Sequence, residues 1–392
     1  MSRNRISLNE CLWVYGEDIY RSTPNARPEI DALKPRGAKV FMLKIGAGAD
    51  ELERLRRFIW QTDAHVILTR LHPKELMTIK PILKDRKNFS IFCDDACLTQ
   101  PWFLREAVYV VYRCYNGVAV RLGKARWTND SPPVLFNPLI SPSQYAFTAA
   151  ALRIPVLAVS PIMSMVNHFR RQMEDSDPAR YLYFPHAVVA ADLPLKTKVH
   201  YKYDFANTGS ICGIWIIRDP FMPFHQTFAN LYCDRLRLTR MIQSFEGDPF
   251  TVYHNQGKGV SWNSYVERSS ESRFVINTGG LQANFGPKFL EYTCLGIPMI
   301  GSGVPFEGPF LDDCLFTVDT MHVTREQLKP LLEQALERHS VLRENCLNWR
   351  DRLLKLHDPH AILDALQAQY DGKPIPPGYL KKDLKDPAPN LT

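Results

Sequence analysis

Asn284-Phe-Gly-Pro-Lys-Phe-Leu-Glu-Tyr-Thr-Cys-Leu-Gly-Ile-Pro-Met-Ile-Gly301 is the stretch that decides the fold. Before it stand an apolar run, Phe274-Val-Ile-Asn277, and a loop carrying Gly279 and Gly280. The pattern predicts a strand, a glycine loop and a short helix opened by Pro287, whose fixed φ suits the first helical position. Gly296 closes that helix, and Ile297-Pro-Met-Ile300 begins the next buried strand. A helix start behind a glycine loop offers free N–H groups and a positive dipole end, which suits a phosphate. Lys288 adds a full positive charge there, and Glu291 follows three residues on, along the same helix face. A cation for a diphosphate beside a carboxylate for a ribose diol makes a sugar-nucleotide pocket. The competing account is a Rossmann-type turn with its helix packed on a sheet and no ligand.

The segment resembles the donor site of GT-B glycosyltransferases. In their widespread retaining family (glycosyl transferases group 1) it reads Glu-x-Phe-Gly-x-x-x-x-Glu, followed by a small-residue helix ending Gly-x-Pro. Phe285, Gly286, Glu291, Gly296 and Pro298 fall in step with it. The resemblance implies that Glu291 holds the donor ribose. The first Glu of the pattern, which touches the sugar, falls on Ala283 and is absent. The spore-protein CgeB-like branch is more similar still: it also lacks that Glu and carries a basic residue where Lys288 stands. The likeness in order and spacing covers roughly 181–320, while over 38–170 it is one of architecture.

At 392 residues, two domains are expected. A hydrophobic content of 45% and a charged content of 23% are those of a soluble globular enzyme. The net charge of +7 permits an anionic partner without demanding one. The opening residues lack a signal-peptide core, and no stretch is apolar for long enough to span a membrane. Nine scattered cysteines suit buried thiols in a reducing cytoplasm. Cys93 and Cys97 bracket Asp94 and Asp95, but no second pair at matching spacing completes a zinc site. No metal is expected.

Apolar runs alternate with amphipathic stretches, as in parallel α/β proteins. Residues 1–37 read as an opening segment with some local structure. An N-terminal Rossmann-like acceptor domain is expected over 38–195, with strands at 39–44, 65–69, 89–93, 108–114 and 154–160. Phe184-Pro-His-Ala-Val188 is similar to the crossing between GT-B halves, and a linker follows from Asp192 to Lys202. The donor domain is expected over 196–345. C-terminal helices over 346–371 would return to the first domain, and the Pro/Lys/Asp-rich 372–392 reads as a loosely ordered tail. The fold class is thus α/β, with two Rossmann-like domains facing a cleft: the GT-B fold.

Tyr203-Asp-Phe-Ala-Asn-Thr-Gly-Ser210 is a strand running into a small-residue loop, so the resemblance makes Gly209 and Ser210 phosphate neighbours, along with Gly279 and Gly280. GT-B enzymes often use a basic residue here in place of a divalent metal, so the resemblance makes Arg218 a second candidate diphosphate cation. Gln282 and Asn284 flank the missing carboxylate, and with Phe285 and Gly286 they are candidates for the donor sugar. Asp94 and Asp95 end a strand, where parallel sheets bind ligands, and either carboxylate is a candidate general base toward the acceptor; His72 competes for that role. An N-cap or loop salt bridge is the ordinary use of such an Asp pair. His186 reads equally as a hinge hydrogen-bonder or a ligand. Tyr265 matches a Tyr on the helix before the Asn-ending strand of CgeB-like proteins, and a core aromatic is its ordinary use. Ile45-Gly-Ala-Gly-Ala-Asp-Glu51 follows a strand, but Glu51 stands where a dinucleotide fingerprint needs its third glycine.

The expected function is transfer of a sugar from a nucleoside-diphosphate donor to an acceptor hydroxyl, with the nucleotide sugar as co-substrate and no other cofactor. The acceptor is open among glycan, lipid, protein, small molecule and modified nucleic acid. Two alternatives stand beside it: a GT-B sugar-nucleotide epimerase, and a non-catalytic binding protein on a glycosyltransferase fold.

Overall fold

The computed structural model describes residues 7–17, 27–44, 46–69, 78–79, 81–84, 86, 88–93, 156–160, 181–183, 186–196, 200–209, 234–247, 249–255, 261–277, 287–301, 309–319, 323–371 and 373. Two compact units divide the chain. The first holds Met1–Pro101, Ile140–Val188 and His357–Pro376; the second holds Trp102–Leu139, Val189–Leu356 and Pro377–Thr392.

The first unit is built on six described strands: β1 (Leu12–Gly16), β2 (Lys39–Leu43), β3 (Val66–Thr69), β4 (Phe89–Cys93), β5 (Val156–Ser160) and β6 (Tyr181–Tyr183). They are parallel in the order β2-β1-β3-β4-β5-β6. Successive side chains of a strand point to opposite faces, and β1 shows both. Leu12 and Val14 join Leu43, Val66 and Leu68 under Leu55 and Ile59 of helix α2 (Ala49–Trp60). Trp13, from the same strand, packs with Ile67, with Leu33 of helix α1 (Arg27–Leu33) and with Ile362, Leu363 and Leu366. A strand buried on both faces is what a parallel sheet covered by helices requires.

Residues 1–37 are therefore no opening segment: they supply β1, which lies between β2 and β3, and α1. Leu12-Trp-Val-Tyr is a four-residue apolar run, and burial at every position accounts for its place in the sheet. The strand expected at 108–114 and the tail expected from 372 fall outside the described residues, apart from Lys373.

The second unit has five described strands, β7 (Tyr203–Asn207), β8 (Val252–His254), β9 (Ser272–Ile276), β10 (Met299–Gly301) and β11 (Leu315–Thr317). They too are parallel, in the order β11-β10-β9-β7-β8. Helices α3 (Asp234–Gln243), α4 (Trp262–Ser270), α5 (Pro287–Cys294), α6 (Pro309–Cys314), α7 (Arg325–Glu337) and α8 (His339–Leu356) complete the unit. One core joins Phe205, Phe274, Ile276 and Ile300 of the sheet to Leu238, Leu328, Leu332 and Leu342 of the helices. Helix α5 ends in a Schellman turn: Gly296, at φ +70°, donates to Thr293 and Ile297 donates to Tyr292, each at 2.9 Å.

Both boundaries expected at 195/196 and 345/346 move. Residues 189–196 sit with the second unit, because Arg350 and Arg343 of α8 donate to the Leu193 and Lys196 carbonyls. Helix α8 stays there as well, with Leu342 in that unit's core. The return to the first unit begins only at His357, ahead of helix α9 (Pro359–Tyr370).

Candidate functional site

In an open parallel sheet, ligands bind beyond the carboxyl ends of the strands, where neighbouring connections run to opposite sides. The order β11-β10-β9-β7-β8 puts that switch point between β7 and β9. The sequence beyond β7 is Thr208-Gly209, and beyond β9 it is Asn277 and the loop before α5.

The β7 end is clamped by side-chain amides. Asn207 Oδ1 accepts from the Gly209 N–H at 3.0 Å, closing a local turn of the kind Asn favours. Its Nδ2 donates to Thr239 Oγ1 at 3.2 Å. Asn255, just past β8, donates from Nδ2 to the carbonyls of Thr208 and Gly209, at 3.3 and 3.1 Å. Gly209 is buried, and its backbone is held from two sides.

Helix α5 carries Lys288 and Glu291. The Glu291 carboxylate is 2% exposed, and Oε2 accepts from the Tyr265 hydroxyl at 2.6 Å. Burying a carboxylate demands such a partner. The ammonium of Lys288 lies 5.5 Å from the Tyr265 ring centroid, within cation–π range. Burial, then the Glu291 charge and Tyr292, hold the Tyr265 phenol well above its usual range, so it is a donor and not a phenolate. Tyr292 OH lies 2.9 Å from Thr208 Oγ1, which in turn lies 3.0 Å from Ser269 Oγ. Lys288, Glu291 and the Gly209 turn are thus brought together by α4, α5 and β7, through the contacts of Tyr265 and Tyr292.

Gly209, Lys288 and Glu291 are the predicted site residues that the structure describes. Asp94, Asp95, His72, Arg218, Ser210, Gly279, Gly280, Gln282, Asn284, Phe285 and Gly286 lie outside the described residues. His186 is described: its carbonyl oxygen faces Nδ1 of buried His357 at 2.7 Å, within the first unit. Sequence reasoning passed over Thr208, Asn255, Ser269 and Tyr292. The signal for Thr208 was a polar pair closing an apolar strand, Asn207-Thr208; Tyr292 carried none, since an aromatic next to a helical Glu is ordinary.

Among the described residues no group of His, Cys, Asp and Glu is arranged to hold a metal ion. No described helix is long and apolar enough to cross a membrane.

No protein-family profile matches the chain. No curated protein matches it in sequence. Solved structures do match it in fold. The crystal structure of Anabaena Alr3699/HepE, in complex with UDP and glucose, aligns at a TM-score of 0.50 and 9% identity, over 92% of this chain and 99% of that one. Sucrose-phosphate synthase from Thermosynechococcus elongatus aligns at a TM-score of 0.53 and 10% identity, over 93% and 98%. Both neighbours are GT-B glycosyltransferases, and the likeness at these identities is one of fold: the chain has the GT-B fold, with two parallel α/β units of Rossmann type.

Proposed function

We propose that the chain is a glycosyltransferase, moving a sugar from a nucleoside-diphosphate donor to an acceptor hydroxyl without a bound metal. The observation that carries this reading is the grouping of Lys288, Glu291 and the Gly209 turn, which border the β7/β9 switch point. A GT-B neighbour solved with UDP and glucose lends it support.

In this reading Glu291 accepts from the ribose hydroxyls. Gly209, Ser210, Gly279 and Gly280 border the diphosphate. The start of α5, with Lys288 and Arg218, stabilises the charge that builds on the diphosphate as the glycosidic bond breaks. Gln282, Asn284, Phe285 and Gly286 face the donor sugar. Asp94, Asp95 or His72 takes the proton of the acceptor hydroxyl. The nucleotide sugar is a co-substrate and no further cofactor is invoked. Buried thiols at Cys294, Cys314 and Cys346 accord with a cytoplasmic setting.

A second reading has an observation of its own. A carboxylate 2% exposed and paired with a phenol is also what a purely structural Glu looks like, and that favours a binding protein on a glycosyltransferase fold.

The test is a thermal-shift and calorimetric screen against UDP, GDP, ADP, dTDP and CMP, with Lys288→Ala and Glu291→Ala as controls. Selective stabilisation by one nucleotide, lost in both variants, is the expected result, followed by release of free nucleoside diphosphate with a new glycoside in the presence of EDTA. Asp94→Asn or Asp95→Asn should then lower turnover at nearly unchanged nucleotide affinity. A folded protein that no nucleotide stabilises, with Glu291→Ala merely less stable, supports the second reading instead.

A further inference from the structure

We infer that Tyr265 is the positioning residue for Glu291, and that Tyr292, the next residue of α5, ties the same helix to the Gly209 turn through Thr208. The inference rests on the reading of Glu291 as the ribose ligand and extends it to residues with no ligand role so far.

Proton counting fixes the direction of the bond to Glu291. A hydroxyl has one proton to give and two lone pairs to receive with. The Tyr265 proton goes to Glu291 Oε2, at a distance typical of a charge-assisted bond. The Tyr265 and Tyr292 rings lie beside each other, with 5.6 Å between centroids. Tyr292 OH and Thr208 Oγ1 share a hydrogen bond at 2.9 Å. Thr208 Oγ1 and Ser269 Oγ share another at 3.0 Å.

The surroundings of Tyr265 are packed. Tyr265 is 5% exposed, with Trp262 on its own helix at 5.1 Å between ring centroids and Tyr292 at 5.6 Å. Tyr292 and Glu291 are consecutive on α5, while Thr208 immediately precedes the turn that Asn207 and Asn255 clamp. Tyr265 therefore sets the carboxylate rotamer, and Tyr292 anchors the neighbour of Gly209. A carboxylate has about four lone-pair positions; Tyr265 uses one and so fixes the direction of the rest. Recognition of a ribose diol then depends on a residue that need not touch the nucleotide.

Tyr265→Phe keeps the ring and removes only the hydroxyl. The experiment compares UDP with 2′-deoxy-UDP, and GDP and ADP with their 2′-deoxy counterparts, by calorimetry on wild type, Glu291→Ala, Tyr265→Phe and Thr208→Val. Wild type should prefer the ribonucleotide by about tenfold or more, the scale of a charged hydrogen bond. Glu291→Ala should abolish the preference. Tyr265→Phe should lose most of it while binding the deoxynucleotide as wild type does, and Thr208→Val should lose a smaller part. If Tyr265→Phe keeps the full preference, or weakens both nucleotides equally, the positioning role is overturned while the ribose site stands. If wild type binds both forms equally, or Glu291→Ala leaves the preference intact, the ribose site itself falls and this inference with it.

Discussion

Nδ1 of His357 lies 2.7 Å from the carbonyl oxygen of His186, and the His357 carbonyl accepts from the Val188 N–H at 2.9 Å. The chain leaves the first unit after Val188 and comes back to it at His357. Its exit and its return are therefore hydrogen-bonded to each other, inside that unit and at a side chain 1% exposed.

This pairing has a pH consequence. Burial is the main cause holding His357 down to about 4, with the His186 carbonyl opposing it. His339, in the second unit, is also held down to about 4, by burial and then by Arg273 and Arg343. In the unfolded chain both titrate near 6.5, so below that pH the unfolded state binds protons that the folded state refuses. Stability should be full above about pH 6.5, fall by about 1.4 kcal/mol per pH unit for each histidine, and stop falling on this account below about 4. Urea denaturation from pH 7 to 4 measures the slope, and His339→Leu should make it shallower in the second unit.

Gly296 answers to two constraints at once. Its φ is +70°, and a Cβ there would meet Leu347 Cδ2 at 2.9 Å and Leu195 Cδ1 at 3.2 Å. Gly296→Ala should cost about 1–2 kcal/mol, read as a lower melting temperature. Gly37→Ala separates the causes: φ is +84° with nothing within 4 Å, so it should carry the backbone term alone.

Thr208 bridges two hydroxyls, those of Ser269 and Tyr292, at a buried position. Thr208→Val takes one hydrogen bond from each and should destabilise by about 1–3 kcal/mol in urea. Thr208→Ser keeps the hydroxyl and should recover most of the loss; equal losses would make the methyl packing responsible.

Arg86 closes the end of α2. Its guanidinium donates to the carbonyls of Ile59 at 2.6 Å, of Thr62 at 2.9 Å, and of Ala64. Arg86→Met retains the apolar stem and removes the donors, so a loss of about 2 kcal/mol or more is expected. Hydrogen exchange should quicken in the last turn of α2 before it does in α5, which belongs to the other unit.

Much of the fold was legible because it is local. The strands at 66–69 and 89–93, the helix at 49–60, and the strand, helix and strand at 272–276, 287–294 and 299–301 each announce themselves within a dozen residues. Gly296 ends α5 as Pro287 begins it, and both effects act on the chain's own φ angles. The reading failed at Leu12–Gly16, where a short apolar run signals burial but not in which sheet or between which strands. It also did not say which unit holds the second half of α8, because α8 and α9 are both amphipathic and only their partners differ.

The site divides in the same way. Lys288 and Glu291 stand out from their spacing on one short helix. Tyr265 was noticed, but nothing in its surroundings tied it to a carboxylate 26 positions away in the chain. By itself the sequence determined the alternation of strands and helices, the limits of α5, and which residues of that helix carry charge. Tertiary structure alone decided the strand orders, which unit holds α8 and 189–196, and the pairing of Glu291 with Tyr265. Capping, turns and periodicity act between near neighbours and are written in order along the chain. Hydrophobic burial is non-directional, so it says that a residue must be covered without saying by what; a partner for a buried charge is settled only once distant segments meet.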